Sequence, residues 1–231
     1  MKKLLILLFS VFFLSSSSVF ADSIFDLQIE GISIGDSLLD YMTEDKILEK
    51  IENSQRYYFL SEPNKFAEIY FMKEFSLYDN ISVFIKTIFE EQYVGNTNEK
   101  YIIPAIRESI PKNNTINEYL TNKNEKYTIL GIRGMIHYVE DFDGCIQKRD
   151  EIVEVFSEMF PNTKKEEHKL IHAGDPSGDS ITDGVYFYFD SEAAIYTVCM
   201  DYEETFRIEK KWTDTLNVVI QNEEIVSWLK D

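Results

Sequence analysis

FDLQIEGISIGDSLLDYMTEDKILEKI, Phe25 to Ile51, packs a strand pattern, a glycine and two helix starts into one short stretch. Leu27, Ile29, Ile32 and Ile34 alternate around Gly31, the pattern of a strand kinked or bulged at the glycine. Gly35 ends it. Ser37 followed by Asp40, and Thr43 ahead of Ile47, Leu48 and Ile51, read as helix starts. The expectation is a short helical turn near 37–42 and a helix from about 44 to 54.

Strand patterns follow. Phe66 to Lys73 and Ile81 to Ile88 are separated by the turn residues Tyr78, Asp79 and Asn80. In the second, Ile81, Val83 and Ile85 share one side, as in a half-buried antiparallel strand. The region Glu91 to Ile136 repeats itself: Asn98-Glu99-Lys100-Tyr101 recurs as Asn124-Glu125-Lys126-Tyr127, and Ile106-Arg107 as Ile132-Arg133. A single duplication does not build a solenoid, which needs three or more units to close a core. The first copy carries Pro104, which cannot donate to a ladder, so residues 89–124 are read as a duplicated insertion and 126–139 as the strand of the sheet.

Asp143 or Gly144 then opens the clearest helix, with Cys145, Ile152, Phe156 and Met159 or Phe160 at helical spacing and Pro161 as its stop. The polar run Asn162 to Gly184 reads as a long surface loop. Strands resume with Val185, Phe187 and Phe189 on one side, Ala194 to Met200, Phe206 to Lys211 and Thr213 to Ile220, and Asn222 to Leu229 closes as a helix. This order predicts an α+β fold: a mainly antiparallel sheet with a short N-terminal helical pair and one long helix packed on it, in a single domain over residues 22–231.

The amino terminus carries Lys2 and Lys3, an apolar run from Leu4 to Leu14, four serines, and Val19-Phe20-Ala21 with small residues where a signal peptidase reads. It reads as a signal peptide over residues 1–21. The run is too short for a bilayer core of about 30 Å, and nothing later in the sequence is apolar for longer, so a transmembrane segment in the mature chain is not expected. The chain is expected to be exported, with the periplasm ahead of the external medium as its destination. Its formal net charge of −18 opposes binding to nucleic acid and to anionic headgroups. Acidity alone would suggest disorder, but 17 Phe and 14 Tyr require burial.

Gly35-Asp36-Ser37-Leu38 resembles the first block of the GDSL family of ester and lipid hydrolases. The resemblance implies Ser37 as a nucleophile after the first strand. Such a serine needs a base within hydrogen-bond reach, which the family supplies as a histidine three residues after an aspartate near the chain's end. Here Gly134, Lys165 and Lys169 precede His137, His168 and His172 at that spacing, and no histidine follows His172. The family's oxyanion block has no match, and its parallel, doubly wound sheet conflicts with consecutive strands. The reading from the residues is that Asp36 or Ser37 caps the helical turn. The longer phrase IEGISIGDSLLDYMTEDKI resembles the opening of an uncharacterised family of small exported bacterial proteins with a GISIGDSLLDY-type motif, which implies an exported α+β protein and no activity. The opening is distantly similar to outer-membrane assembly lipoprotein modules, without their lipid-anchor cysteine.

Cys145 and Cys199 are the only cysteines, and an even pair in an oxidising compartment reads as a disulfide, with two buried thiols as the alternative. The loop Gly174 to Gly184 holds Asp175, Asp179 and Asp183, a weak calcium alternative to an ordinary polar turn. His168 and His172 share the spacing of a zinc helix, but Lys169 stands where the glutamate base belongs. Tyr186 and Tyr188 alternate with the apolar residues of their strand and face outward, toward a ligand or partner. No cofactor signature is read. The sequence therefore predicts a non-catalytic envelope protein that binds another envelope protein or a small ligand, with the Ser37 ester hydrolase as the alternative.

Overall fold

The computed structural model describes residues 24–53, 57, 59–63, 65–71, 75–87 and 127–230. The expected signal peptide over residues 1–21 and the expected duplicated insertion near 89–124 lie outside them. The fold is α+β, built on a seven-stranded antiparallel sheet. Its strands are β3 (Phe66–Tyr70), β4 (Asn80–Lys86), β5 (Ile129–His137), β6 (Lys164–Ile171), β7 (Ile181–Tyr188), β8 (Ala194–Asp201) and β9 (Thr215–Gln221), in the order β3-β4-β5-β9-β8-β7-β6. A separate hairpin of β1 (Gln28–Ile29) and β2 (Ile32–Ser33) precedes them.

Helix α1 spans Glu44–Glu52, α2 Phe142–Met159, α3 Glu204–Lys210 and α4 Glu223–Trp228. Acidic residues open α1 and Lys50 closes it, which suits the helix dipole. The Asp141 carboxylate accepts from the Gly144 amide at the start of α2. In α4 the Asn222 side chain accepts from the Ile225 amide, and Ile225, Val226 and Trp228 turn inward.

One side of the sheet carries Val83, Ile132, Ile220, Ile195 and Phe187, which lie opposite one another from strand to strand. They form the main core with the N-terminal hairpin, Leu38, Ile47, Val153 and Phe160. A register shift between Phe84 and Ile85 lets Ile129 and Ile132 both reach that side. Cys145 and Cys199 are bonded, S–S 2.00 Å, and fix α2 to β8 beside Leu216.

The opening stretch is stitched to the start of β5. Gly35 N donates to Ile129 O at 2.8 Å, Ile129 N to Asp36 O at 2.9 Å and Leu38 N to Tyr127 O at 2.9 Å. Ile29 and Ile32 belong to a hairpin rather than to one kinked strand. Glu30 at φ 52 and Gly31 at φ 79 form its two-residue turn, which brings both isoleucines onto the core. The Glu30 carboxylate, accepting from the Leu77 amide and the Ser76 hydroxyl, holds a non-glycine residue in that conformation.

Two further expectations change. Residues 162–184 are not one loop, because Lys164–Ile171 pairs with β7 along all of its eight residues. This strand exposes nearly every side chain, so no apolar alternation marks it; its backbone pairing alone makes it a strand. Phe206 to Lys211 is mostly helix α3 rather than a strand. Glu203 accepts from the Phe206 amide, Lys211 at φ 56 closes the turn, and Ile208 is 64% exposed, so the apparent alternation had no second buried position.

Candidate functional site

The side of the sheet opposite α2 carries two adjacent cross-strand rows. One runs Ser82, Arg133, Val219, Tyr196, Tyr186, Glu166. The other runs Phe84, Gly131, Gln221, Ala194, Tyr188, Lys164 from the same strands. Residues opposite each other on neighbouring strands sit within side-chain contact, so each row is a continuous strip of touching groups.

Arg133 anchors one end. Its guanidinium lies 3.1 Å from the Glu68 carboxylate and donates to the Tyr57 hydroxyl at 3.3 Å, with its carbon 5.5 Å from the centre of the Phe84 ring. Glu68 also accepts from the Ser82 hydroxyl at 2.6 Å and the Tyr57 hydroxyl at 2.9 Å. The Arg133 side chain is 13% exposed and that of Glu68 is 1%. Burial works against the arginine charge, but the Glu68 carboxylate together with Tyr57, Tyr196 and Tyr70 outweighs it, so the guanidinium pKa stands well above its ordinary value. Trp228 of α4 packs on Tyr57 and Phe66 and closes this end of the face.

Three half-buried tyrosines form the other end. Tyr186 stacks on Tyr196 at 5.0 Å and on Tyr188 at 6.2 Å, and the His168 ring meets it edge-on at 5.3 Å. Stacking takes up the flat sides of the Tyr186 ring and leaves ring edges and hydroxyls as the groups that a ligand can reach. The Tyr186 and Tyr188 hydroxyls make no hydrogen bond to a described residue. Burial, then the charges of Tyr196 and Tyr188, push the Tyr186 pKa up to about 12, so the hydroxyl stays protonated and able to donate at neutral pH. Burial raises Tyr196 as well, while the Arg133 guanidinium and the Gln221 amide hold it back. Gln221, 2% exposed, lies beneath this end of the face, beside Tyr196.

The expected outward orientation of Tyr186 and Tyr188 matches their place on the side opposite the main core. Arg133, Glu68, Gln221, Tyr57 and Tyr196 were not singled out in the sequence. A usable signal was there: Glu68 and Arg133 are each a lone charge within an apolar strand, FAEIY and ILGIRGMIH, and opposite charges placed so tend to meet.

The other candidates are placed elsewhere. The Ser37 hydroxyl accepts from the Leu39 amide at 3.3 Å as the cap of the turn Leu38–Asp40, and the Asp36 carboxylate accepts from Ser33 N at 2.9 Å and the Tyr41 hydroxyl at 2.6 Å. The histidines are engaged away from it: His137 with Asn80 and Asp79, His168 with Glu166, His172 with the Gly174 amide. Asp175 turns inward, and both its oxygens accept from Ser177 and Ser180. Asp183 pairs with Arg149 and Lys169 instead. Among the described residues, no group of three or more His, Cys, Asp or Glu is placed to hold a metal ion. His168 lies on strand β6 and His172 just beyond its end, so their spacing does not put them on one helical turn. No helix among the described residues is long and apolar enough to cross a membrane.

Comparison with protein-family models, with curated proteins and with solved structures found no match.

Proposed function

We propose that the protein is exported to the cell envelope and there binds a partner or a small polar ligand without catalysing a reaction on it. The binding surface is the tyrosine end of the sheet face. The observation that carries this reading is the tyrosine stack: three half-buried rings in contact, of which the Tyr186 and Tyr188 hydroxyls bond to no described residue. A ligand with acceptor groups would satisfy these donors, and the paired Arg133 and Glu68 would hold the floor of the face rigid beneath it.

Affinity capture from an envelope extract tests it, comparing the unaltered chain with the double variant Tyr186→Phe, Tyr188→Phe, which keeps the stack and removes both hydroxyls. The expected outcome is a bound species that the variant loses. Equal capture by both, or ester hydrolysis that depends on Ser37, overturns the reading.

A further inference from the structure

The two edges of the sheet differ sharply. At the β3 edge, Phe66, Ala67, Glu68 and Ile69 are all buried, and α1 packs against the strand. At the β6 edge all eight residues pair with β7 on one side, and nearly every side chain is exposed. Leu170 and Ile171 are 60% and 65% exposed. Among the described residues no strand bonds the other side of β6, and a strand bonded on one side only presents a row of free backbone donors and acceptors on the other.

We propose that β6 pairs with β6 of a second copy of this chain, antiparallel, about a two-fold axis through His168, joining the two sheets into one. Charged residues on an edge strand usually guard it. Here their signs make one register attractive. Lys165, Glu167 and Lys169 alternate in sign on one side of the sheet, and Lys164 and Glu166 do so on the other. In a two-fold antiparallel pair that continues the sheet, opposed residues share a side, so the axis must pass through a residue.

An axis through Glu167 sets that carboxylate against its own copy and Lys165 against Lys169. An axis through Lys169 opposes two ammonium groups, and one through Glu166 opposes two carboxylates. Through His168, Glu167 meets Lys169 of the second copy, twice by symmetry, and the exposed Ile171 lies along the Lys165 stem of the second copy. Only this register has ionic pairs and no carboxylate or ammonium group facing its own kind. Within one copy, Lys164 contacts Glu166, Lys165 contacts Glu167 and Lys169 lies 3.7 Å from Asp183, but pairs held by such exposed lysines contribute little and leave the charges free to re-pair.

Net charge favours the same place. The chain carries −18 overall, so two copies repel over most of their surfaces. Strand β6, with three lysines and a histidine against two glutamates, is a local exception.

Sedimentation velocity of the purified chain over a wide concentration range tests the proposal, with Glu167→Lys, Lys169→Glu and the double reversal. Both sites are exposed, and circular dichroism checks that each variant is folded. The expected result is a monomer–dimer equilibrium that each single reversal weakens about tenfold, since two attractive cross-strand pairs become two repulsive ones. The double reversal restores it. A chain that stays monomeric at every concentration, a dimer indifferent to the single reversals, or a double variant as weak as the singles overturns it. A β6 edge that takes a strand from a different protein gives the first of these results.

Discussion

The Arg133 guanidinium and the Glu68 carboxylate, 3.1 Å apart, form a buried ion pair between β5 and β3 with β4 between them. The pair fixes the relative position of three strands, because Ser82 of β4 donates to the same carboxylate. Removing one partner leaves the other charge buried and uncompensated. Glu68→Gln is expected to cost about 3–5 kcal/mol in urea unfolding, whereas Glu68→Leu with Arg133→Met should cost much less than either single loss. A Glu68→Gln variant with an unchanged midpoint would mean that water reaches the guanidinium.

The turn after β6 sets an acid response. Hydrogen bonds from Ser180 and Ser177 hold the Asp175 carboxyl far below its ordinary value of 3.8, against some opposition from burial. A depressed carboxyl stabilises the fold above its unfolded value, and that contribution is lost as pH falls below about 4. His172 acts in the same direction and earlier. Burial lowers its pKa, with Asp175 opposing, so it prefers to be neutral when folded, and stability begins to fall as pH drops below its ordinary 6.5. The protection of amides 172–180, taken relative to their intrinsic exchange rates, should therefore fall in two steps on acidification. Asp175→Asn should abolish the lower step and keep the upper one.

Elements with a strong apolar period were legible in the sequence. Helix α2 announced itself through Cys145, Ile152 and Phe156, β4 through Ile81, Val83 and Ile85, and α4 through Ile225 and Leu229. Strand β6 was not legible because its side chains take no part in a core, and pairing through the backbone leaves no trace in residue type. Helix α3 was misread because Phe206 and Ile208 alternate while only Phe206 is buried. At the candidate site, alternation revealed Tyr186 and Tyr188 through their own strand. The groups that complete the face come from β3, β4, β5, β8 and β9, and strand order is decided by long-range pairing that a single stretch does not encode.

The Cys145–Cys199 bridge closes a separation of 54 residues and joins the first turn of α2 to β8. In the chain-entropy picture such a loop contributes roughly 4 kcal/mol by restricting the unfolded chain. Replacing both cysteines by alanine should lower the unfolding free energy by about that amount. Adding reductant should then shift the melting temperature of the unaltered chain and leave the variant's in place. Equal shifts in both would assign the effect to the reductant.

Ser37 and Gly35 separate a structural reading of the opening stretch from a catalytic one. The Ser37 hydroxyl caps a turn of three residues, so Ser37→Ala should cost about 1 kcal/mol. Asp36→Ala should cost more, because Ser33 N and the Tyr41 hydroxyl both lose their acceptor. Gly35 sits at φ +94 with open space around its Cα, so Gly35→Ala is opposed by backbone strain rather than by a clash, at about 1–3 kcal/mol. A cap predicts that these losses appear in urea midpoints while a chromogenic ester assay stays at its buffer rate throughout. A nucleophile predicts turnover that Ser37→Ala alone abolishes. The arrangement around Ser37 favours the cap, since its oxygen is already accepting from Leu39 and each of the three histidines is engaged elsewhere.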